Sequence, residues 1–310
     1  MNPLKTLGMA VVAGSLAGQV LCGPAGAVES GPVKLLVSLY GEQDTGVFGF
    51  PSGLSLGQCL TLADTNNGRL LFFSADGDKF KYQGKFDAGG KLTNPFCVAE
   101  LAEGKYLVAE RGKRTLTLCD VAGQTATPVV LEGMPRADRF AVGRFCKGPD
   151  DRVYLIDAAQ KRIVVLSPEL RYEREFTVSA SGFTGFSDVR VDRRGNVCAL
   201  ETLRGLVHVF DGGQKLLRSF GSRGGESAAF DFPVSLAIDR QGNIYVLDSH
   251  RAQVSVFDLE GHLMWRMGAY GWKEGSFNGP AYVAVDDANR VFVVDRLNNR
   301  IEVFVPQRPM

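Results

Sequence analysis

Along this chain, apolar runs of five to seven residues alternate with polar clusters rich in Gly, Asp, Asn and Pro. The runs favour Val, Ile, Leu, Phe and Tyr, which is strand composition, and the clusters between them have turn composition. Past the N-terminal stretch no run is long enough for a helix. Six runs end on an acidic residue: Asp64, Glu110, Asp157, Glu201, Asp248 and Asp295. The intervals between them are 46, 47, 44, 47 and 47 residues. Aligned on the acid, the units read LADTNNGRLLFF, VAERGKRTLTLC, LIDAAQKRIVVL, ALETLRGLVHVF, VLDSHRAQVSVF and VVDRLNNRIEVF. Self-similarity at one period fixes the architecture before any single residue is interpreted.

Each unit holds four short runs, as in FPVSLAIDRQGNIYVLD (232–248), then its third run, the turn DLEG (258–261) and HLMWRMG (262–268). Four antiparallel strands every 40–50 residues make one propeller blade. The chain is therefore expected to be all-β, a six-bladed β-propeller with four-stranded antiparallel blades. The blades fall at approximately 42–87, 88–132, 133–178, 179–221, 222–268 and 269–306. The last unit stops after its third run, RIEVFVPQ (300–307). The missing outer strand is available as VKLLVSLYG (33–41), and pairing it against 300–305 closes the ring and removes two exposed edges.

The pattern P-x-x-x-A-[VI]-D…G-N-[ILV]-Y-V-x-D-S…[RQ]-[IV]-x-V-F-D resembles the NHL repeat. Its best copies run from Pro233 to Asp258 and from Pro280 to Phe304, and GAYGWKEGSFNGP (268–280) resembles the linker between blades. The resemblance covers essentially all of 32–306. It implies the fold and leaves function open, because the family includes enzymes, RNA binders and protein-interaction platforms.

The first 27 residues differ from the rest. Lys5, the apolar stretch TLGMAVVAGSLAGQVLCG and Ala25-Gly26-Ala27 match a secretory signal cleaved after Ala27, leaving 28–310 as one propeller domain. The expected location is the periplasm or exterior of a bacterial cell, with no membrane insertion after cleavage. Cys22 lacks the flanking residues of a lipoprotein site. The whole chain has 35 basic and 34 acidic residues, and loss of Lys5 balances them. That balance, with export, argues against nucleic acid as a partner. A monomer is expected. Cys59, Cys97, Cys119, Cys146 and Cys198 remain after cleavage, an odd number, mostly within predicted strands as small buried residues. Cys97 and Cys146, on inner strands of adjacent blades, are the one pair considered for a disulfide.

In such a blade the inner strand follows the Pro and the acid ends the second strand, so both lie on one face of the disc. The six acids sit on different blades, too far apart to share a metal, and are expected to hold the following turn or the Arg five residues on, as at Arg69, Arg162 and Arg300. Function is sought where the repeat breaks. At the axial positions, Arg144, Asp188 and Arg190 place three charges on adjacent blades, with Tyr282 at the equivalent position of the last blade. They form either an internal network that plugs the channel or a small anion site with two guanidiniums for a carboxylate or phosphate. The turns after the acids are basic, offering Arg111, Lys113, Arg114, Lys161, His250 and Arg251 on the same face, with Trp272 in an inter-blade loop.

Enzyme templates are poorly matched. The chain has three His, none axial, no nucleophile elbow and no phosphate-binding Gly motif. Two axial Arg beside Asp188 would repel a catalytic cation. No catalytic residue, metal or cofactor is assigned. The sequence favours a non-catalytic binding or scaffold protein whose basic face takes a partner protein or anionic ligand. The alternative is a lactonase-like hydrolase or a lyase working at the channel mouth.

Overall fold

The computed structural model describes residues 31–41, 44–224 and 230–307. The segment expected to be a signal, with Cys22, lies outside these. The described residues form six four-stranded antiparallel sheets and, apart from three short 3-10 turns, no helix. The inner strands are Gly53–Leu56, Pro95–Ala102, Val142–Lys147, Asp188–Val191, Pro233–Ile238 and Tyr282–Val285. Each touches the inner strands of both neighbouring blades, and the last touches the first, so the ring is closed around an axis.

The hydrophobic pattern follows from this stacking. Second strands such as Leu60–Asp64, Val153–Asp157 and Ile244–Asp248 are buried at every position, because a neighbouring blade covers each face of the sheet. The outer strand Lys79–Phe86 alternates exposed and half-buried residues over most of its length, since one face meets solvent. The core is divided into six clusters, one in each seam between blades. At the closing seam Leu62 and Phe73 of the first blade pack with Phe292 and Ile301 of the last.

The ring closes as the sequence indicates. Val33–Tyr40 runs antiparallel to Arg300–Pro306, with Tyr40 opposite Arg300 and Val33 opposite Pro306. Side chains reinforce the ladder: Ser38 Oγ donates to Glu302 at 2.6 Å and Arg300 Nη1 donates to the Tyr40 hydroxyl at 2.9 Å.

The repeated acids are structural in a way that sequence only partly anticipates. Arg69, Arg162 and Arg300 do place Nε on Asp64, Asp157 and Asp295, at 2.7, 3.0 and 2.9 Å. The partner common to all six is different: an amide of the linker entering the same blade. Asp64 accepts from Gly49 N, Glu110 from Thr93 N, Asp157 from Ala141 N, Glu201 from Thr184 N, Asp248 from Asp231 N and Asp295 from Asn278 N. Linker amides have no ladder partner, and a buried carboxylate satisfies them. Where the Arg is missing, other groups complete the site. Lys113 and Thr117 hold Glu110, His208 holds Glu201, and the His250 and Arg251 amides hold Asp248.

The considered Cys97–Cys146 disulfide is not formed, and the five described cysteines are free. Cys97 is fully buried and donates to the Phe145 carbonyl at 3.4 Å. Burial pushes its thiol up to about 11 and that of Cys146 up to about 12, so both behave as small apolar groups rather than reactive thiolates.

Candidate functional site at the channel mouths

Inner strands begin on the face that carries the acids: Pro95 lies opposite Glu110, Val142 opposite Asp157 and Pro233 opposite Asp248. This face is called upper here. The inner strands crowd the axis and lie against one another.

Arg144, Asp188, Arg190 and Tyr282 meet there in one layer. Asp188 is fully buried and thoroughly satisfied. It accepts from Arg190 Nη1 at 2.7 Å, Ser235 Oγ at 2.9 Å, Leu236 N at 2.9 Å and Val189 N at 3.0 Å. Arg144 Nη1 stands 3.9 Å from its Oδ2, an ion contact without a hydrogen bond, while Arg144 Nη2 donates to the Ala281 carbonyl at 2.8 Å. Both guanidiniums also lie on the Tyr282 ring, 5.1 and 4.9 Å from its centroid. Burial pulls the Arg190 pKa down, but Asp188, followed by Tyr282, Cys146 and Cys97, together hold it above the ordinary value. Burial likewise pushes the Tyr282 phenol up, against the pull of Arg190, so its hydroxyl stays a donor.

Arg144 lines a cavity on the upper side of this layer, and Arg190 and Tyr282 line one on its other side. The upper one, about 490 Å³, has Arg144 at its floor and Arg111, Lys113, Phe96 and Phe186 around it. Its one carboxylate, Glu110, is already engaged: burial pushes it up, but Lys113 and the amide and hydroxyl of Thr93 hold it below the usual carboxylate range. Arg296 joins the cluster. Burial, then repulsion from Arg111 and Arg144, depresses its pKa. Among the described residues, Arg144 Nη1 and Arg296 Nε are buried without a hydrogen-bond acceptor. Buried guanidinium N–H groups left without acceptors are costly.

The structure thus gathers Arg144, Asp188, Arg190 and Tyr282 at the axis, with Arg111 and Lys113 at the upper mouth. It scatters the other candidates. Arg114 turns outward onto the carbonyls of Asp138 and Phe140, and Lys161 reaches the Phe183 carbonyl. His250 stacks on Phe232 with centroids 4.7 Å apart and meets Asp231 at 3.2 Å, and Arg251 shares its turn. Trp272 is 67% exposed and pairs edge-on with the equally open Tyr270. Arg296 was visible only as one more basic turn residue. The signal that marks it is its position directly after Asp295, shared by Arg111 after Glu110. In other blades this position holds Thr65 and Thr202, whose hydroxyls reach the next blade's Pro95 and Pro233 carbonyls, so it points inward across the seam.

The comparisons agree with this architecture. Residues 230–257 match the NHL repeat family model. The chain is similar in fold to a streptogramin B lyase (TM-score 0.57, 11% identity, 88% of this chain and 96% of that one). It is also similar to selenomethionine-substituted virginiamycin B lyase from Staphylococcus aureus (TM-score 0.57, 11% identity, 88% and 99%). Kuenenia stuttgartiensis hydrazine synthase matches at TM-score 0.55 and 12% identity, over 84% of this chain and 98% of that one. At such identities the likeness is one of fold. No curated protein matches the sequence significantly.

Proposed function

We propose that this NHL-type propeller is an exported, non-catalytic binding protein whose upper mouth receives an acidic segment of a partner protein. The observation that carries this reading is the pair Arg111 and Arg144 on one cavity with Arg296 close enough to be repelled by both, Arg144 and Arg296 having guanidinium nitrogens without an acceptor among the described residues. The Asp188 charge is spent within the layer below and that of Glu110 on Lys113 and Thr93, so an incoming carboxylate meets surplus positive charge.

A protein segment suits the surroundings of the mouth. The turn Arg296–Asn298 points Arg296 inward, leaves Leu297 exposed and ties Asn298 to the Gly271 carbonyl of the linker that carries Tyr270 and Trp272. Basic mouth and open aromatic pair are therefore joined by one short turn. Such a pair supplies the apolar anchor that protein interfaces place beside their charge contacts.

The lyase alternative shares its fold with the streptogramin and virginiamycin lyases, but nothing at the axis favours it. The axis is filled by the guanidinium–carboxylate layer rather than by an open set of oxygen ligands. The test is salt-sensitive binding of an acidic peptide that is lost when Arg111 and Arg296 are reversed in charge.

A further inference from the structure

Exposed apolar side chains are distributed unevenly over the disc. The linkers between blades and the turns after the acids lie on the upper face, and the turns that join inner to second strands lie on the lower one. Among the described residues, the large exposed apolar side chains outside the outer strands are Val47, Phe50, Val130, Leu203, Tyr270, Trp272 and Leu297. All belong to upper linkers or upper turns. Lower turns such as GPDDR (148–152), DRRGN (192–196), DRQGN (239–243) and DDANR (286–290) offer no such side chain. Apolar groups gathered on one face mark a surface that meets a partner.

Three features identify that partner. The first is breadth. Val47 belongs to blade one and Leu203 to blade four, which are opposite each other in a six-bladed ring. Val130 stands on the linker between blades two and three and Trp272 on the linker between blades five and six, one on either side of that line. A partner that meets all four is as broad as the disc. The second is separation. These four side chains are 72, 57, 80 and 67% exposed on four different loops, so they are individual anchors rather than the continuous apolar core of a protein interface. The third is charge. Arg114, Lys161 and Arg204 lie in the turns between the tips, and Arg114 and Lys161 rest on carbonyls, which leave their charge unneutralised. The exposed linker acids Glu132, Asp138 and Asp231 each have a basic neighbour, in Arg171, Arg139 and His250. A bilayer that contains anionic lipids is flat, broad, apolar beneath its headgroups and negative at its surface.

We infer that the upper face docks on an anionic lipid bilayer, with its apolar tips entering the headgroup region and its basic turns lying over the lipid phosphates. Trp272 and Tyr270 then occupy the depth that such side chains favour at membrane surfaces. The inference goes beyond the protein-binding mouth and does not rest on it, because Val47, Val130 and Leu203 lie outside that cavity.

Vesicle sedimentation tests this with the chain from Val28 onward, which contains the whole closed ring and lacks the apolar N-terminal stretch. Wild type sediments with vesicles of equal phosphatidylglycerol and phosphatidylcholine, and at least tenfold more weakly with phosphatidylcholine alone. Val47→Ser/Val130→Ser/Leu203→Ser changes only exposed side chains, so the fold is retained, and it weakens binding to the mixed vesicles at least tenfold. Lipids brominated on their acyl chains quench the tryptophan emission of wild type. Trp272→Ser abolishes that quenching, because the remaining Trp265 lies on an outer strand. No sedimentation with the mixed vesicles, equal sedimentation with the neutral ones, or full binding by the triple variant overturns the inference. A chain that ignores vesicles yet binds an acidic peptide overturns it and spares the protein-binding mouth, whereas vesicle binding without peptide binding supports it and counts against that mouth.

Discussion

Arg190 Nη1 lies 2.7 Å from Asp188 Oδ1 on the same inner strand, and this pair is the centre of the axial layer. Asp188 is the sole carboxylate between two guanidiniums in that layer, and it also holds the next blade through Ser235 and the Leu236 amide. Removing it leaves two enclosed cations unpaired. Asp188→Leu is expected to cost about 3–5 kcal/mol, the range for breaking a buried pair. The double variant Asp188→Leu/Arg190→Met recovers part of that loss, because the second change removes an orphaned charge. Chemical denaturation of the three proteins checks this. Equal midpoints for wild type and Asp188→Leu would show that the layer does not hold the blades together.

His208 gives the fold a pH dependence. Its Nε2 is 2.9 Å from Glu201 and its Nδ1 2.8 Å from Ser219 Oγ, which assigns a neutral ring with the proton on Nε2. Burial pulls its pKa down, and the Glu201 carboxylate only partly opposes this. The folded value therefore lies below the ordinary 6.5, and the unfolded chain binds the extra proton first. Stability from this group is complete above that value and falls as pH drops below it, until the folded His titrates as well. His208→Gln keeps a donor for Glu201 and flattens this part of the melting curve against pH. Identical slopes in the two proteins would remove His208 as the source.

The closing strand is the third test. Leu36, Val37 and Leu39 are half-buried in the seam of the last and first blades, and Leu35 in the seam of the fifth and last. At roughly 1 kcal/mol for each half-buried side chain, plus the ladder, its loss costs about 5 kcal/mol. For a domain of this size that lowers the melting temperature by about 10–20 °C. Deletion of 32–41 is measured by scanning calorimetry, and an unchanged transition rules out this strand as the clasp.

The fold was legible because every blade repeats the same solution. Burial on both faces writes continuous apolar runs, an acid ends each second strand, and the shortfall at 300–307 identifies its partner at 33–41. The axial layer was legible as well, since Arg144, Asp188 and Arg190 stand where small residues are expected. Three things were not. The linker amides that bind the acids come from 15 to 17 residues upstream, and a backbone donor leaves no mark in sequence. In sequence Arg296 is one basic turn residue among several, and the inward direction of its position emerges only when the blades are assembled. The lower cavity is built from ordinary strand residues whose spacing matches every other blade, so only the assembled ring reveals it.

If the upper mouth binds acidic protein segments, Arg111 and Arg296 carry the contact. The most direct measurement is calorimetric titration with a Glu-Glu-Glu-Phe peptide at low and high salt, for wild type and Arg111→Glu/Arg296→Glu, with Lys79→Glu/Lys81→Glu on the outer edge of the first blade as the control. Saturable binding by wild type and the control is expected, weakened by salt, with at least a tenfold loss in the mouth variant. Equal binding by the mouth variant and wild type, or no binding by wild type at low salt, would contradict it.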